Sequence, residues 1–166
     1  MDAYEAVLDV LADFDYSVHH NDEKGYEHLG DGDVSITVRN GDSDDEILIE
    51  FSDGKIALFF GNDHDHFDPS YDDEVYWLVD LLDDLLHNRR CAASLYYNTD
   101  DFPKLMATSF CKKKETSSYE KVFDYVLKLS GYKEKLMNNG GKVVYRFFDP
   151  SLNFEEKIEK KSQDFS

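Results

Sequence analysis

Two histidines and three aspartates stand close together in the segment Gly61-Asn62-Asp63-His64-Asp65-His66-Phe67-Asp68. In an extended segment His64 and His66, two residues apart, point the same way and could share a metal ion. Asp68 adds an oxygen ligand, with Asp63 and Asp65 nearby, a mix that suits zinc or manganese. Such a centre would support a metal-dependent hydrolase acting through His64, His66 and Asp68. The plainer reading is a polar strand-to-helix loop whose imidazoles hydrogen-bond to neighbouring carboxylates. An H-x-H pair also needs further ligands from elsewhere. His28, His87 and the pair His19-His20 are available, but no spacing singles one out.

Other chemistry-bearing patterns fail stricter tests. Asp42, Asp44, Asp45 and Glu46 suggest calcium, yet the EF-hand loop needs Gly at position 6 and Glu at position 12. Counted from Asp42, those positions hold Ile47 and Asp53. Gly30-Asp31-Gly32-Asp33 is acidic and would repel a phosphate. No G-x-S-x-G or H-E-x-x-H occurs. Cys91 and Cys111 fall in predicted strands and read as buried, unreactive thiols.

The elements that must position these residues follow an α+β order. Tyr4, Val7, Leu8, Leu11 and Phe14 predict a helix over 3–14, with Glu5, Asp9 and Asp13 along another face. Residues 15–20 and 24–29 are weaker strand candidates. Val34, Ile36 and Val38 predict a strand over 33–39, and Ile47, Ile49 and Phe51 another over 46–51. Ser52-Asp53-Gly54-Lys55 reads as a hairpin turn leading into a strand over 55–60, buried on both faces. Residues 61–71 read as a polar loop. Val75, Leu78, Val79, Leu82, Leu85 and Leu86 predict a helix over 72–88, capped by Ser70 or Asp72. Strands are expected at 89–97 and 104–112, and a turn near Asp101 would set Cys91 opposite Cys111. A helix at 118–130, opened by Ser117 or Ser118, a further helical turn at 132–138 and a strand over 143–148 complete a single domain spanning 1–154. Residues 155–166 read as a frayed, charged tail. The expected fold is α+β: an antiparallel or mixed sheet with about three helices packed on it.

Composition narrows the function. The chain has 166 residues, 36 acidic against 18 basic, and a net charge of −18. Residues 1–88 hold 25 acidic and three basic side chains, a net of −22, and residues 89–166 hold 11 and 15, a net of +4. No linker separates the halves, so one electrically polarised domain is expected. Solubility alone asks for a net charge of only about 2–8 in magnitude. This surface repels nucleic-acid backbone and anionic membrane and attracts basic proteins. The 12 Phe and 11 Tyr exclude a disordered acidic chain. No basic n-region follows Met1 and no apolar run is long enough to span a membrane, so a cytoplasmic protein with reduced thiols is expected. The outward arc of the helix over 72–88 carries Asp73, Tyr76, Trp77, Asp80 and Asp84. With Asp65 and Asp68 in the preceding loop, these are the expected partner-binding residues: carboxylates to pair with Lys or Arg, rings to anchor.

Small size, strong acidity, an α+β layout and the lack of a catalytic signature together resemble the immunity proteins of bacterial toxin systems. The segment from Phe59 to Asp68, followed by the helix over 72–88, is also similar to small bacterial proteins of this kind. The resemblance implies a protein that binds a cognate toxin, often a basic nuclease, and covers its active site. No cofactor is then expected, whereas the hydrolase reading calls for zinc or manganese. A regulatory or scaffold module without a toxin partner is the third reading.

Overall fold

A computed structural model describes residues 1–41 and 43–161. Helix α1 (Ala3–Leu11) opens the chain, capped by Asp2, whose carboxylate accepts from the backbone N–H groups of Tyr4 and Glu5. Five strands follow: β1 (Asp15–His19), β2 (Val34–Arg39), β3 (Ile47–Ser52), β4 (Lys55–Phe60) and β5 (Asp63–Phe67). They form an antiparallel meander in chain order. Helix α2 (Asp72–Leu86) then leads to β6 (Arg90–Tyr97) and β7 (Lys104–Lys112). Three short helices follow, α3 (Tyr119–Val122), α4 (Asp124–Leu127) and α5 (Tyr132–Asn139), and then β8 (Gly141–Arg146) and β9 (Phe154–Ile158). These last four strands form a second antiparallel sheet in the order β7-β6-β8-β9. The fold class is α+β, as the hydrophobic pattern predicts.

Each sheet has its own core. Strand alternation sends Ile36, Val38, Ile47, Ile49, Ile56 and Leu58 to one face of the first sheet. Val7 and Leu11 of α1 and Val75, Leu78, Leu82 and Leu85 of α2 cover that face. The second core gathers Cys91, Leu95, Val143, Tyr145 and Phe147 under Phe123 and Leu136. The change in charge near residue 88 therefore falls where the chain passes from one sheet to the other. Ala92 and Phe148 join the first core, and Arg146 reaches both carboxylate oxygens of Asp45 (2.8 and 3.1 Å), so the two sheets are knit together.

Several expectations are corrected. Residues 24–29 form no strand: Gly25 takes positive φ, and the backbone turns at Glu23–Tyr26 and Tyr26–Leu29. The polar loop at 61–71 contains strand β5, made by backbone pairing with β4 across a turn at Gly61. Strand β4 is not buried on both faces, since Ala57 and Phe59 on its outer side are half-buried. Neither Ser70 nor Asp72 caps α2; its N-cap is Tyr71, without a side-chain bond. The helix expected over 118–130 is split at fully buried Phe123, whose backbone leaves the helical region. The expected tail begins as β9, because Phe154 stacks on Tyr145 (4.6 Å) and Ile158 is buried. The rest of the expected tail, residues 162–166, lies outside the described residues, as does Asp42 of the acidic run. Among the described residues no helix is long and apolar enough to cross a membrane.

Candidate functional site: an acidic helix face and the cleft beside it

Helices α1 and α2 lie side by side and run the same way. At their N-terminal ends the Met1 ammonium donates to Asp72 (2.8 Å). At their C-terminal ends Phe14 packs edge-to-face with His87 (5.6 Å). Since the apolar stripe of each helix faces the sheet, the opposite arcs face solvent. These arcs carry Glu5 and Asp9 on α1, and Asp73, Tyr76, Trp77 and Asp80 on α2, all exposed. Tyr76 is 57% and Trp77 56% exposed, unusual for rings of that size. Among the described residues no cation pairs with Asp73 or Asp80.

Two of the expected partner-binding carboxylates are already engaged. Asp84 accepts from Arg89 Nε (2.6 Å) and Arg90 Nε (3.0 Å). Burial disfavours its charge, but the two guanidinium groups outweigh that and hold the carboxyl below the usual range. Asp83 is likewise tied to Arg89 and His87. These arginines offset a carboxylate pair placed at the wrong end of the helix dipole. Asp68 binds the Lys55 ammonium and the Ser70 hydroxyl and backbone N–H, and these hold its carboxyl far below the usual range. Asp68 and Asp84 thus brace the fold, leaving Asp65, Asp73, Tyr76, Trp77 and Asp80 of the expected set.

Strand β5 is a sheet edge, and its alternation sorts the 61–68 segment into two faces. His64 and His66 share the outer face, as their spacing predicts. His64 stacks on Phe59 (5.6 Å), and the two imidazoles meet edge-to-face at 5.1 Å. The third expected ligand, Asp68, is held by Lys55. Among the described residues no three His, Cys, Asp or Glu side chains are arranged to hold a metal ion. The residues present therefore do not fit the zinc or manganese centre. Three of the other histidines are engaged elsewhere: His19 with Glu23 (2.8 Å) and stacked on Tyr26, His28 with Glu50 (3.3 Å) and His87 with Asp83 (3.1 Å).

Asp63 and Asp65 project to the inner face, where α2, β7 and α4 enclose a cleft of about 270 Å³. Trp77 forms one wall and Tyr125 another. Thr108 Oγ1 donates to Asp63 (2.7 Å), and the Tyr125 hydroxyl donates to the Thr108 carbonyl (2.9 Å). Burial pushes the Asp63 carboxyl above its usual range, against the Thr108 hydrogen bond. Burial also raises the Tyr125 phenol, with Asp63 adding to the effect. This cleft was not readable from the sequence, because Asp63 and Thr108 are 45 positions apart. The outward exposure of Tyr125 in a helical stretch was the one available hint. No family model, curated protein or solved structure matches this chain.

Proposed function

We propose that this protein is a cytoplasmic binding protein that neutralises a basic protein partner, in the manner of bacterial immunity proteins, by laying the α1/α2 face over the partner's active site. One observation carries the reading. Of the six carboxylates of α2, Asp72, Asp83 and Asp84 are ion-paired within the protein and Glu74 accepts from the Asp68 backbone N–H, whereas Asp73 and Asp80, which flank two half-exposed rings, meet no cation among the described residues. Unpaired carboxylates steer a cationic surface into contact, and Tyr76 and Trp77 supply the desolvated anchors. An enzyme that cuts nucleic acid lines its site with Lys and Arg, so a nuclease toxin is the partner class that suits this surface best.

The test is capture from the native host at low salt, followed by stopped-flow binding of the captured protein. Asp73→Lys with Asp80→Lys should slow association about tenfold or more at low ionic strength and flatten its salt dependence. Both side chains are exposed, so folding should be unaffected. An unchanged association rate would remove this face from the interface.

A further inference from the structure

We infer that the cleft between β5, β7, α2 and α4 is a receptor for one guanidinium group, the side chain of an arginine on the partner. The inference rests on the proposed binding of a basic partner, but it concerns the flank of α2 rather than its outward arc. At about 270 Å³ the cleft falls just below the range of about 300–1,000 Å³ that drug-sized ligands occupy, and suits a single long side chain.

Its walls are fixed in place. Trp77 is braced edge-to-face against the buried Phe67 ring (6.0 Å), and Tyr125 is held by its hydrogen bond to the Thr108 carbonyl. Both rings nevertheless stay more than half exposed. The floor carries Asp63 and Asp65, which strand alternation aims to the same side. Thr108 Oγ1 donates to Oδ1 of Asp63, and the His66 backbone N–H donates to Oδ1 of Asp65, whose second oxygen meets no hydrogen bond among the described residues. The lining also holds His64 and Arg90, and Arg90 Nε is engaged by Asp84 (3.0 Å). The recess therefore presents two carboxylates between aromatic walls. A guanidinium is planar, stacks on aromatic rings and forks onto carboxylates, whereas an ammonium only offers a point charge.

The probe is N-acetyl-arginine amide, and the reporter is the fluorescence of Trp77, the single tryptophan. Emission should change saturably with a dissociation constant in the millimolar range. The neutral isostere N-acetyl-citrulline amide should bind about tenfold or more weakly, and the lysine analogue several-fold more weakly. Asp65→Asn should weaken arginine about threefold or more, and Asp73→Asn with Asp80→Asn should change it less than about twofold. Equal binding of arginine and citrulline, or of arginine and lysine, would overturn the assignment. So would an Asp65→Asn variant that binds like the parent. An absence of saturable binding would leave Asp63 and Asp65 only as charges that protect a sheet edge. Because the probe needs no partner, arginine binding without a captured partner would retain the cleft and remove the acidic face. A captured partner without arginine binding would do the reverse.

Discussion

Replacing Asp63 with asparagine should stabilise the protein near neutral pH by about 1 kcal/mol. The Asp63 carboxylate is half-buried behind β7 and α4, and full burial of an ion costs several kcal/mol even after relaxation. Its burial is partial, and the hydrogen bond from Thr108 at 2.7 Å returns about 1.5–3 kcal/mol as a charge-assisted contact. What remains is a modest net cost of the charge, in line with the upward displacement of the carboxyl. Asparagine has the same length, keeps an acceptor for Thr108 and carries no charge. The pH dependence has a definite sign. Below the ordinary carboxylate range the group is protonated in both folded and unfolded chains, and the charge costs nothing. As the pH climbs from the unfolded value through the raised folded value, the unfolded chain gives up its proton first, and the parent loses stability relative to the variant. The assay is urea unfolding of both proteins from about pH 4 to about pH 7. The difference should open across the lower part of that range, then level off, with a melting temperature about 2–4 °C higher for the variant at neutral pH. A variant less stable than the parent at neutral pH, or a difference that ignores pH, would refute the reasoning. The same stabilised variant should bind arginine less well, which would mark the carboxylate as kept for binding at the expense of stability.

Two further outcomes test the frame around the site. Leu78 is fully buried between α2 and the first sheet, so Leu78→Ala should cost about 2–5 kcal/mol in urea unfolding; a loss within 0.5 kcal/mol would contradict the packing. Cys91 and Cys111 face each other with Sγ atoms 3.5 Å apart, and their shared hydrogen bond and burial push the Cys91 thiol up, so a thiol reagent should modify the native protein orders of magnitude more slowly than the urea-unfolded one; equal rates would mean that the second core is open.

How much of this was legible depended on where the apolar residues sat. Ile36 and Val38 of β2 and Ile47 and Ile49 of β3 alternate with other side chains, and α2 repeats Leu and Val at helical spacing, so the core faces of these elements were legible, although Ser35 and Thr37 on the other face of β2 are buried as well. The facing of Cys91 and Cys111 followed from the turn near Asp101. Strand β5 was hidden because Asp, His, Asp and His alternate without an apolar signal, and only Phe67 reaches the core. Its strand character comes from backbone bonds to β4, which no side-chain pattern reports. The division into two sheets was hidden for a related reason. Whether β6 joins β5 or begins a new sheet is a matter of topology, and periodicity is the same in either case. For the site, the exposure of Tyr76 and Trp77 was readable from the helical wheel. The engagement of Asp84 was missed, although Arg89 and Arg90 follow within six residues, just beyond the helix end.

The internal ion pairs explain why the surplus charge is directional. Arg89, Arg90 and Arg146 all come from the basic half of the chain, and their partners Asp83, Asp84 and Asp45 all come from the acidic half. These three arginines are therefore placed at the junction of the two sheets. Arg146 closes the junction at the β2–β3 turn, and Arg89 and Arg90 close it at the end of α2. Moving outward and toward the N-terminal ends of α1 and α2, Asp80, Asp73, Asp9 and Glu5 meet no cation among the described residues. Solubility alone does not call for placing Asp73 and Asp80 beside two exposed rings. A surface that must attract and then hold a cationic partner is served by that placement: long-range charge for encounter, aromatic area for retention, and an adjoining cleft with two carboxylates to fix the register.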